Sequence, residues 1–326
     1  MVIPGLRLGG IAAATLTCAL SLSSVALAES RGADLRVVNT AGRTLAEFRQ
    51  YTGTTRVRTD SDARCFGQGT GGSGNGVEVT GSTALGAVRD AIPSDPDLAP
   101  LSVTDAFADQ GFGLGVCGIG GFRAQGSSFW YVKRNHVGAQ VSGSQLKVHQ
   151  GDDILWYLTP SYPPPPELVL QGPARAKPNV PFQVTVYSYA DNGTRHPAAG
   201  ASVTHAAAPT DANGHAMVSS PAGTDSLRAT RGQNIPSNHV AVCVAADLSA
   251  CPDAHGQRIL GSDHADVIDG TRGWDSISAR GGQDQVDIRT GGRDQVTCGV
   301  GTDRVILRPG DNNDHISTSC EQVVRK

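Results

Sequence analysis

The most regular pattern of polar and apolar positions lies between residues 259 and 317. Aspartates recur at intervals of nine to eleven residues, a branched aliphatic residue follows each one two positions later, and glycine stands two positions before four of the six. The repeated positions are Asp266, Asp275, Asp284, Asp294, Asp303 and Asp314, with Gly273, Gly282, Gly292 and Gly301. A nine-residue period with a glycine turn and one inward aliphatic side chain predicts a parallel β-roll.

Alternating apolar positions predict short strands in the middle of the chain. Within the segment 167–245, Phe182, Val184 and Val186 alternate with polar residues. Further strand candidates in this segment lie at 201–204, 215–218, 226–230 and 240–244. Short strands at this spacing, separated by Asn-Gly and Asp-rich turns, predict a β-sandwich.

The N-terminal part of the chain has the pattern of one helix among strands. Residues 83–92 carry apolar side chains at helical spacing, with Ser82 as the expected cap and Pro93 as the stop. Residues 146–148 and 154–158 alternate on either side of a Gly-Asp turn, which predicts a hairpin.

Four consecutive prolines at residues 163–166 mark a linker, because no strand or helix interior tolerates them. The predicted architecture is mainly β and has several domains. It consists of an α+β domain with one helix at 35–158, a Pro-rich linker at 159–166, a β-sandwich at 167–245 and a parallel β-roll at 255–326.

Composition agrees with several small β domains and narrows the range of functions. The 41 glycines and 18 prolines in 326 residues are more than usual and indicate turn-rich β structure. A net charge of −3 provides no basic field, so we expect no nucleic-acid partner. No nucleophile elbow, zinc-protease or P-loop motif occurs, so we expect no catalytic residues.

Residues 1–28 have the pattern of a secretory signal peptide. Arg7 precedes a mostly apolar run, and Ala-Leu-Ala at 26–28 forms a cleavage motif. The run is nearly long enough to span a membrane, so an uncleaved anchor is the alternative. We expect a secreted or cell-surface protein that retains no membrane span after cleavage.

Removal of residues 1–28 takes away Cys18 and leaves six cysteines, an even number that predicts disulfides in an exported chain. The cysteines fall as one pair in each predicted domain. Local pairing predicts Cys65–Cys117, Cys243–Cys251 and Cys298–Cys320. The spacing typical of a zinc site is absent.

The repeat region resembles the RTX, or hemolysin-type, calcium-binding repeats, and residues 270–278 (GTRGWDSIS) match that pattern most closely. The resemblance implies calcium as the cofactor between stacked turns. The implied ligands are Asp266, Asp275, Asp284, Asp294, Asp303, Gly273 and Gly282.

The repeats also depart from the RTX pattern. Most of the leading glycines are lost, and Arg272, Arg280, Arg289 and Arg293 occupy turn positions. Two interpretations follow. Either at least one site binds calcium weakly, or arginines pair with the aspartates in a metal-free roll that the Cys298–Cys320 disulfide stabilises.

Residues 35–158 resemble a bacterial domain related to the C-terminal domain of transcobalamin. The resemblance rests on residues 83–86, 113–121, 129–136 and 151–156. It implies that Trp130, Tyr131, Asn135 and Trp156 edge a ligand site, whereas alternation along a strand favours Trp130 and Trp156 as core residues. The turn at residues 209–216 resembles that of bacterial Ig-like domains.

Taken together, these patterns favour a secreted bacterial binding or adhesion protein without catalysis. Its partner is expected to be a surface or extracellular macromolecule, which the sequence does not identify. Two alternatives remain open. One is an extracellular protein that binds a small ligand through the N-terminal domain and carries a metal-free roll, and the other is an enzyme of unrecognised class.

Overall fold

A computed structural model describes residues 30–326, so the predicted signal peptide at 1–28 lies outside the described residues. The described chain is mostly β with a single α-helix and a C-terminal parallel β-solenoid, as the sequence predicts. We describe it as an N-terminal unit, a middle unit and a roll, which join at the end of β10 and after β19.

The N-terminal unit places one α-helix and three small β pairings around a mixed sheet. Its strands are β1 (Arg31–Val38), β2 (Thr44–Thr52), β3 (Thr55–Arg58), β4 (Gly76–Val79), β5 (Ser102–Thr104), β6 (Gly115–Ile119), β7 (Phe122–Arg123), β8 (Phe129–Arg134), β9 (Val137–Gly138) and β10 (Asp153–Thr159). The helix α1 is Ala84–Ala91, and short 3-10 helices lie at Pro96–Leu98 and Ala108–Gln110.

The N-cap of helix α1 lies one residue later than predicted, at Thr83. The Thr83 hydroxyl accepts a hydrogen bond from the Gly86 N–H at 3.0 Å, which caps the helix. Ser82 is not the cap, because its hydroxyl donates to the Thr52 carbonyl at 2.6 Å. Leu85 and Val88 are fully buried and join the core between helix and sheet.

The predicted hairpin of residues 146–148 and 154–158 is wrong. Strand β10 pairs in parallel with β1 on one edge and antiparallel with β8 on the other. Both edges are therefore occupied, and residues 146–148 instead run past α1, where Lys147 forms an isolated bridge with Thr83.

The middle unit is built from small sheets around one core. Its strands are β11 (Glu167–Gln171), β12 (Arg175–Ala176), β13 (Phe182–Tyr189), β14 (Arg195–Pro197), β15 (Ser202–Val203), β16 (His215–Val218), β17 (Gly223–Leu227), β18 (Ala229–Thr230) and β19 (Val240–Val244), followed by a 3-10 helix at Leu248–Ala250. Strands β11, β13, β14 and β16 form one sheet, and β12, β19 and β17 form another. Buried side chains from both sheets share this core, including Leu170, Val186 and Val242.

The roll consists of two stacks of parallel strands, and each turn takes 18 to 20 residues. One stack is β20 (Arg258–Leu260), β22 (Ser276–Gly282), β24 (Gln295–Gly301) and β26 (His315–Ile316). The other is β21 (Val267–Asp269), β23 (Gln285–Asp287), β25 (Arg304–Leu307) and β27 (Gln322–Arg325). The inward aliphatic residues of the repeat fill the space between the stacks, since Ile268, Val286, Val296 and Val305 are fully buried.

One sheet continues from the N-terminal unit into the roll. Strand β20 pairs in parallel with β2, with Arg49 opposite Ile259 and Gln50 opposite Leu260. The buried Tyr51 side chain of β2 belongs to the core of the roll, and Leu260 belongs to the core of the N-terminal unit. The N-terminal unit thus closes the first turn of the solenoid, where an open end would otherwise expose strand edges.

The three predicted disulfides are present, and each lies within one unit. They join Cys65 to Cys117, Cys243 to Cys251 and Cys298 to Cys320. The last of these ties β24 to the loop before β27, which encloses the final turn of the roll.

Candidate metal centre

Stacking of the turns aligns the repeat aspartates in two rows. Row A is Asp266, Asp284 and Asp303, and row B is Asp275, Asp294 and Asp314; members of a row are one full turn apart. The members from Asp266 to Asp303 are at most 2% exposed. The nonapeptide period therefore places alternate repeats on opposite flanks of the roll.

In row A, each carboxylate after Asp266 accepts a hydrogen bond from a backbone N–H of the turn before it. The Asp266 N–H donates to Asp284 Oδ1 at 2.8 Å, and the Asp284 N–H donates to Asp303 Oδ1 at 2.9 Å. The Asp303 N–H donates to Glu321 Oε2 at 2.8 Å. Glu321 thus completes the row, a role missed in the sequence although it lies one turn of 18 residues after Asp303.

Row B repeats this arrangement on the other flank. The Gln257 N–H donates to Asp275 Oδ1 at 2.8 Å, and the Asp275 N–H donates to Asp294 Oδ1 at 2.9 Å. The Asp294 N–H donates to Asp314 Oδ1 at 2.9 Å. Asp314 belongs to the repeat but not to the predicted ligand set, and the structure places it at the end of this row.

The first aspartate of each row differs from the rest because a nearby hydroxyl donates a hydrogen bond to its carboxylate. Ser262 donates to Asp266 through its backbone N–H at 2.6 Å and its hydroxyl at 3.0 Å. The Thr271 hydroxyl donates to Asp275 at 2.7 Å. Both oxygens of these two carboxylates accept hydrogen bonds. The bonds from Ser262 and Thr271 stabilise the loops of their own turns.

The later row members each retain one buried oxygen without a hydrogen-bond partner among the described residues. These oxygens are Asp284 Oδ2, Asp294 Oδ2, Asp303 Oδ2 and Asp314 Oδ2. A buried carboxylate oxygen without a partner costs free energy unless a proton or a cation neutralises it. The unsatisfied oxygens occur on both flanks of the roll.

Burial and like charge make two of these carboxylates, Asp284 and Asp294, hard to ionise. Burial raises the pKa of Asp284 to about 8, with a further contribution from Asp266 and Asp303 in the same row. Burial raises the pKa of Asp294 to about 7, and Asp275 and Asp314 add to the effect. Without a cation, Asp284 and Asp294 therefore hold protons near neutral pH.

Glycine carbonyls lie beside the row carboxylates, because the loops of successive turns are in close contact. A Cβ on Gly292 would lie 2.2 Å from the Gly273 carbonyl oxygen and 2.7 Å from Asp294 Oδ1. A Cβ on Gly301 would meet the Gly282 carbonyl oxygen at 1.5 Å and Asp303 Oδ1 at 3.2 Å. Carbonyl and carboxylate oxygens thus border the same narrow space on each flank, and this is the kind of donor set that calcium prefers.

Carboxylates alone do not form a cluster here. Within residues 30–326, no three His, Cys, Asp or Glu side chains converge as a group that could hold a metal ion. The backbone carbonyls of Gly273 and Gly282 are further oxygen donors beside the rows.

The arginines in turn positions do not neutralise the rows. Arg280 pairs with Asp263 at 2.8 Å, and Arg289 pairs with Asp287 at 2.6 Å. The Arg293 guanidinium lies over the Trp274 ring, 5.0 Å from its centroid. Among the described residues, no hydrogen bond or ion pair joins Arg272, Arg280, Arg289 or Arg293 to a row carboxylate, so the direct pairing of the metal-free interpretation is not seen.

The aromatic residues of the N-terminal unit do not form one ligand site. Trp130 and Trp156 are core residues, and their indole N–H groups donate to the carbonyls of Phe122 and Ala84 at 3.0 and 3.1 Å. Asn135 stands at a left-handed turn position, with φ 51°, and its amide donates to Asp152 at 2.7 Å.

Only Tyr131 among the candidate ligand-edge residues lines a surface depression. This depression also contains Phe112 and Tyr162 and has a volume of about 440 Å³. The Tyr131 hydroxyl donates to Asp191 in the middle unit at 2.8 Å. The side chain therefore contributes to the contact between two units.

Comparison with known protein families, curated proteins and solved structures gives no match to this chain. Within residues 30–326, no helix is long and apolar enough to cross a membrane.

Proposed function

We propose that this chain is an exported, non-catalytic binding or adhesion protein whose C-terminal roll binds calcium through its two aspartate rows. The observation that carries the calcium proposal is the set of four buried carboxylate oxygens without hydrogen-bond partners, at Asp284, Asp294, Asp303 and Asp314. A divalent cation would neutralise these carboxylates, of which Asp284 and Asp294 otherwise take up protons because they are buried.

The residues present fit a hard cation with oxygen ligands. On one flank, Asp284 and Asp303 would hold the ion together with the Gly282 carbonyl. On the other flank, Asp294 and Asp314 would act with the Gly273 carbonyl. Asp266 and Asp275, which are saturated by local hydroxyl and N–H donors, would contribute mainly charge. Since calcium tolerates irregular coordination and magnesium demands near-octahedral geometry, calcium is the better candidate.

Export and non-catalytic binding are supported by observations outside the aspartate rows. Three disulfides, one in each unit, are typical of proteins from oxidising compartments. The signal-like pattern of residues 1–28 agrees with this. A roll fixed to the N-terminal unit through a shared sheet would present its turns rigidly to a macromolecular partner.

Thermal unfolding of the mature chain, residues 29–326, tests the calcium proposal. We expect a dissociation constant in the ~10⁻⁴–10⁻³ M range of extracellular calcium modules. At ten times that concentration, calcium should stabilise the folded chain by about 1.4 kcal/mol. Magnesium at the same concentration should have little effect. The roll is tested together with the N-terminal unit, because β2 closes the first turn of the roll.

Paired substitutions locate the effect. The double variant Asp284→Asn with Asp294→Asn keeps an acceptor for each backbone N–H but removes one charge from each row, so it should abolish the calcium response. The control Asp287→Asn removes an aspartate of the same roll that already pairs with Arg289, so its response should equal that of the wild type. Calcium binding by the rows is rejected if calcium stabilises all three proteins equally, or if it stabilises none of them.

A pull-down from extracellular fractions, with and without calcium, tests the binding role. We expect a retained macromolecule whose recovery falls on calcium removal. Turnover of a substrate by the purified chain would contradict the non-catalytic assignment.

A further inference from the structure

A buried lysine and an aspartate meet where the N-terminal unit contacts the middle unit. Lys133, on β8, is 1% exposed, and its Nζ lies 3.3 Å from Asp191 Oδ1. Asp191 belongs to the turn between β13 and β14. Both atoms of this ion pair are buried, and neither makes a hydrogen bond among the described residues. The amine and the carboxylate are thus close together and shielded from water.

No other carboxylate of this interface competes for Lys133. Glu167 is the other buried carboxylate here, and it is held by Arg36 and by His136, the latter at 3.2 Å. Among the described residues, Asp191 is the only group that forms an ion pair with Lys133. The lysine therefore has a single partner.

Backbone contacts between the two units hold the pair in place. The Gly138 N–H donates to the Asp191 carbonyl at 2.8 Å, and the residues next to them form an isolated β-bridge. A Cβ on Gly138 would lie 2.7 Å from both carboxylate oxygens of Asp191 and 2.0 Å from the Tyr131 hydroxyl. Glycine at this position thus lets the turn approach β8 closely enough to bring Asp191 to Lys133.

The second oxygen of Asp191 has a hydrogen-bond donor. The Tyr131 hydroxyl donates to Asp191 Oδ2 at 2.8 Å. Burial, together with the Asp191 carboxylate, raises the pKa of Tyr131, so the phenol keeps its proton. A donor in this position withdraws electron density from the carboxyl carbon and stabilises negative charge that develops on Oδ2.

We propose that Lys133 and Asp191 condense to an intramolecular isopeptide bond, which joins the N-terminal and middle units covalently. The Lys133 ammonium passes one proton to Asp191 Oδ1, and the neutral amine then attacks Asp191 Cγ. The Nζ–Cγ bond forms and the Cγ–Oδ1 bond breaks. Oδ1 leaves as water with two of the three ammonium protons. Oδ2 becomes the amide oxygen and keeps its hydrogen bond from Tyr131, so the balance needs no other reactant.

Burial favours the amide over the ion pair. Two buried charges lose their hydration, and their mutual attraction offsets this loss only where hydrogen bonds are also good. The Lys133–Asp191 pair is close but lacks such a bond between Nζ and Oδ1. Condensation replaces both charges by one neutral amide and releases a water molecule. The bond would lie far from the aspartate rows, so its formation does not depend on calcium.

Mass spectrometry of tryptic peptides from residues 29–326 tests the proposal. Trypsin places Lys133 in the peptide 124–134 and Asp191 in the peptide 176–195, because Lys177 precedes a proline and is not cut. Neither peptide contains cysteine, so no disulfide can join them. After incubation at neutral pH, we expect one joined peptide with the summed mass less one water, about 18 Da. Fragmentation should locate the link at Lys133 and Asp191.

Two variants and one control assign the link. Lys133→Met and Asp191→Ala should each abolish the joined peptide. Lys147→Arg, which changes an exposed lysine that donates to the Thr80 carbonyl at 2.5 Å, should leave it unchanged. Near-UV circular dichroism confirms that each protein is folded. Only separate peptides from the folded wild type, or a link from Lys133 to a residue other than Asp191, would overturn the proposal.

Discussion

At the scale of single residues, the Asp284 carboxylate couples the folding of the roll to proton binding. Asp284 is 2% exposed, accepts one backbone hydrogen bond and leaves its second oxygen without a partner among the described residues. Burial raises its pKa to about 8 in the folded chain, against 3.8 for an aspartate in water. The folded state therefore binds this proton more tightly than the unfolded state does.

The sign of the pH dependence follows from this difference. The contribution of the Asp284 proton to stability is fully present below pH 4 and is lost as the pH rises towards 8. In calcium-free buffer, each rise of one pH unit in this interval should cost the wild type about 1.4 kcal/mol relative to Asp284→Asn. Urea unfolding of both proteins with a chelator, at pH 5, 7 and 9, measures this.

The control for this prediction is Asp287→Asn. Its hydrogen bonds with Arg289 lower the pKa of Asp287, so this substitution should not make the chain more resistant to alkaline pH. Parallel pH profiles for the wild type and Asp284→Asn would contradict the proposed protonation of row A.

At the scale of elements, close contact between the loops defines the roll. Gly301 has a φ of 152°, and a Cβ there would lie 1.5 Å from the Gly282 carbonyl oxygen. No side chain fits this contact unless the last turns separate. The glycines of the repeat thus set the distance between the loops of successive turns as well as their backbone conformation.

Substitution of Gly301 by alanine should destabilise the roll by about 3 kcal/mol or more, since both the steric overlap and the backbone conformation oppose it. Gly310→Ala is the matched control: Gly310 has φ 78°, but a Cβ there meets nothing within 4 Å. The control should lower the free energy of unfolding only by the ~1–2 kcal/mol that a residue with a Cβ costs in the left-handed conformation. Urea denaturation measures both values, and equal costs would show that the turns are not in close contact.

The elements that the sequence predicted well are those with a local or repeated signal. The roll follows from a period that recurs six times, and the helix follows from its apolar face and the stop at Pro93. Residues 146–148 were misread as a strand because the alternating pattern does not reveal that both edges of β10 are occupied. The partners of Arg280 and Arg289 were also missed, since nearer aspartates outside the repeat positions are available.

At the scale of the whole molecule, the three units share structure that no linker pattern predicts. The sheet that passes from β2 to β20 joins residues about 210 positions apart through only two residue pairs. The buried Arg36–Glu167 ion pair joins the first strand of the N-terminal unit to the first strand of the middle unit. Such contacts depend on single residues in distant segments, so neither composition nor periodicity reveals them.

The Arg36–Glu167 pair should be a principal attachment between these units. Arg36 is 4% exposed and Glu167 is fully buried, with His136 3.2 Å from the second carboxylate oxygen. Loss of one partner leaves a buried charge, so Arg36→Met and Glu167→Gln should each cost about 3–5 kcal/mol. The double variant should cost clearly less than the sum, because it leaves neither charge unpaired.

The exposed pair Arg43–Asp97, 3.4 Å apart, is the control, and Arg43→Met should cost less than about 1 kcal/mol. Urea denaturation of residues 29–326 measures all four variants. If Arg36→Met costs no more than Arg43→Met, the ion pair does not hold the units together.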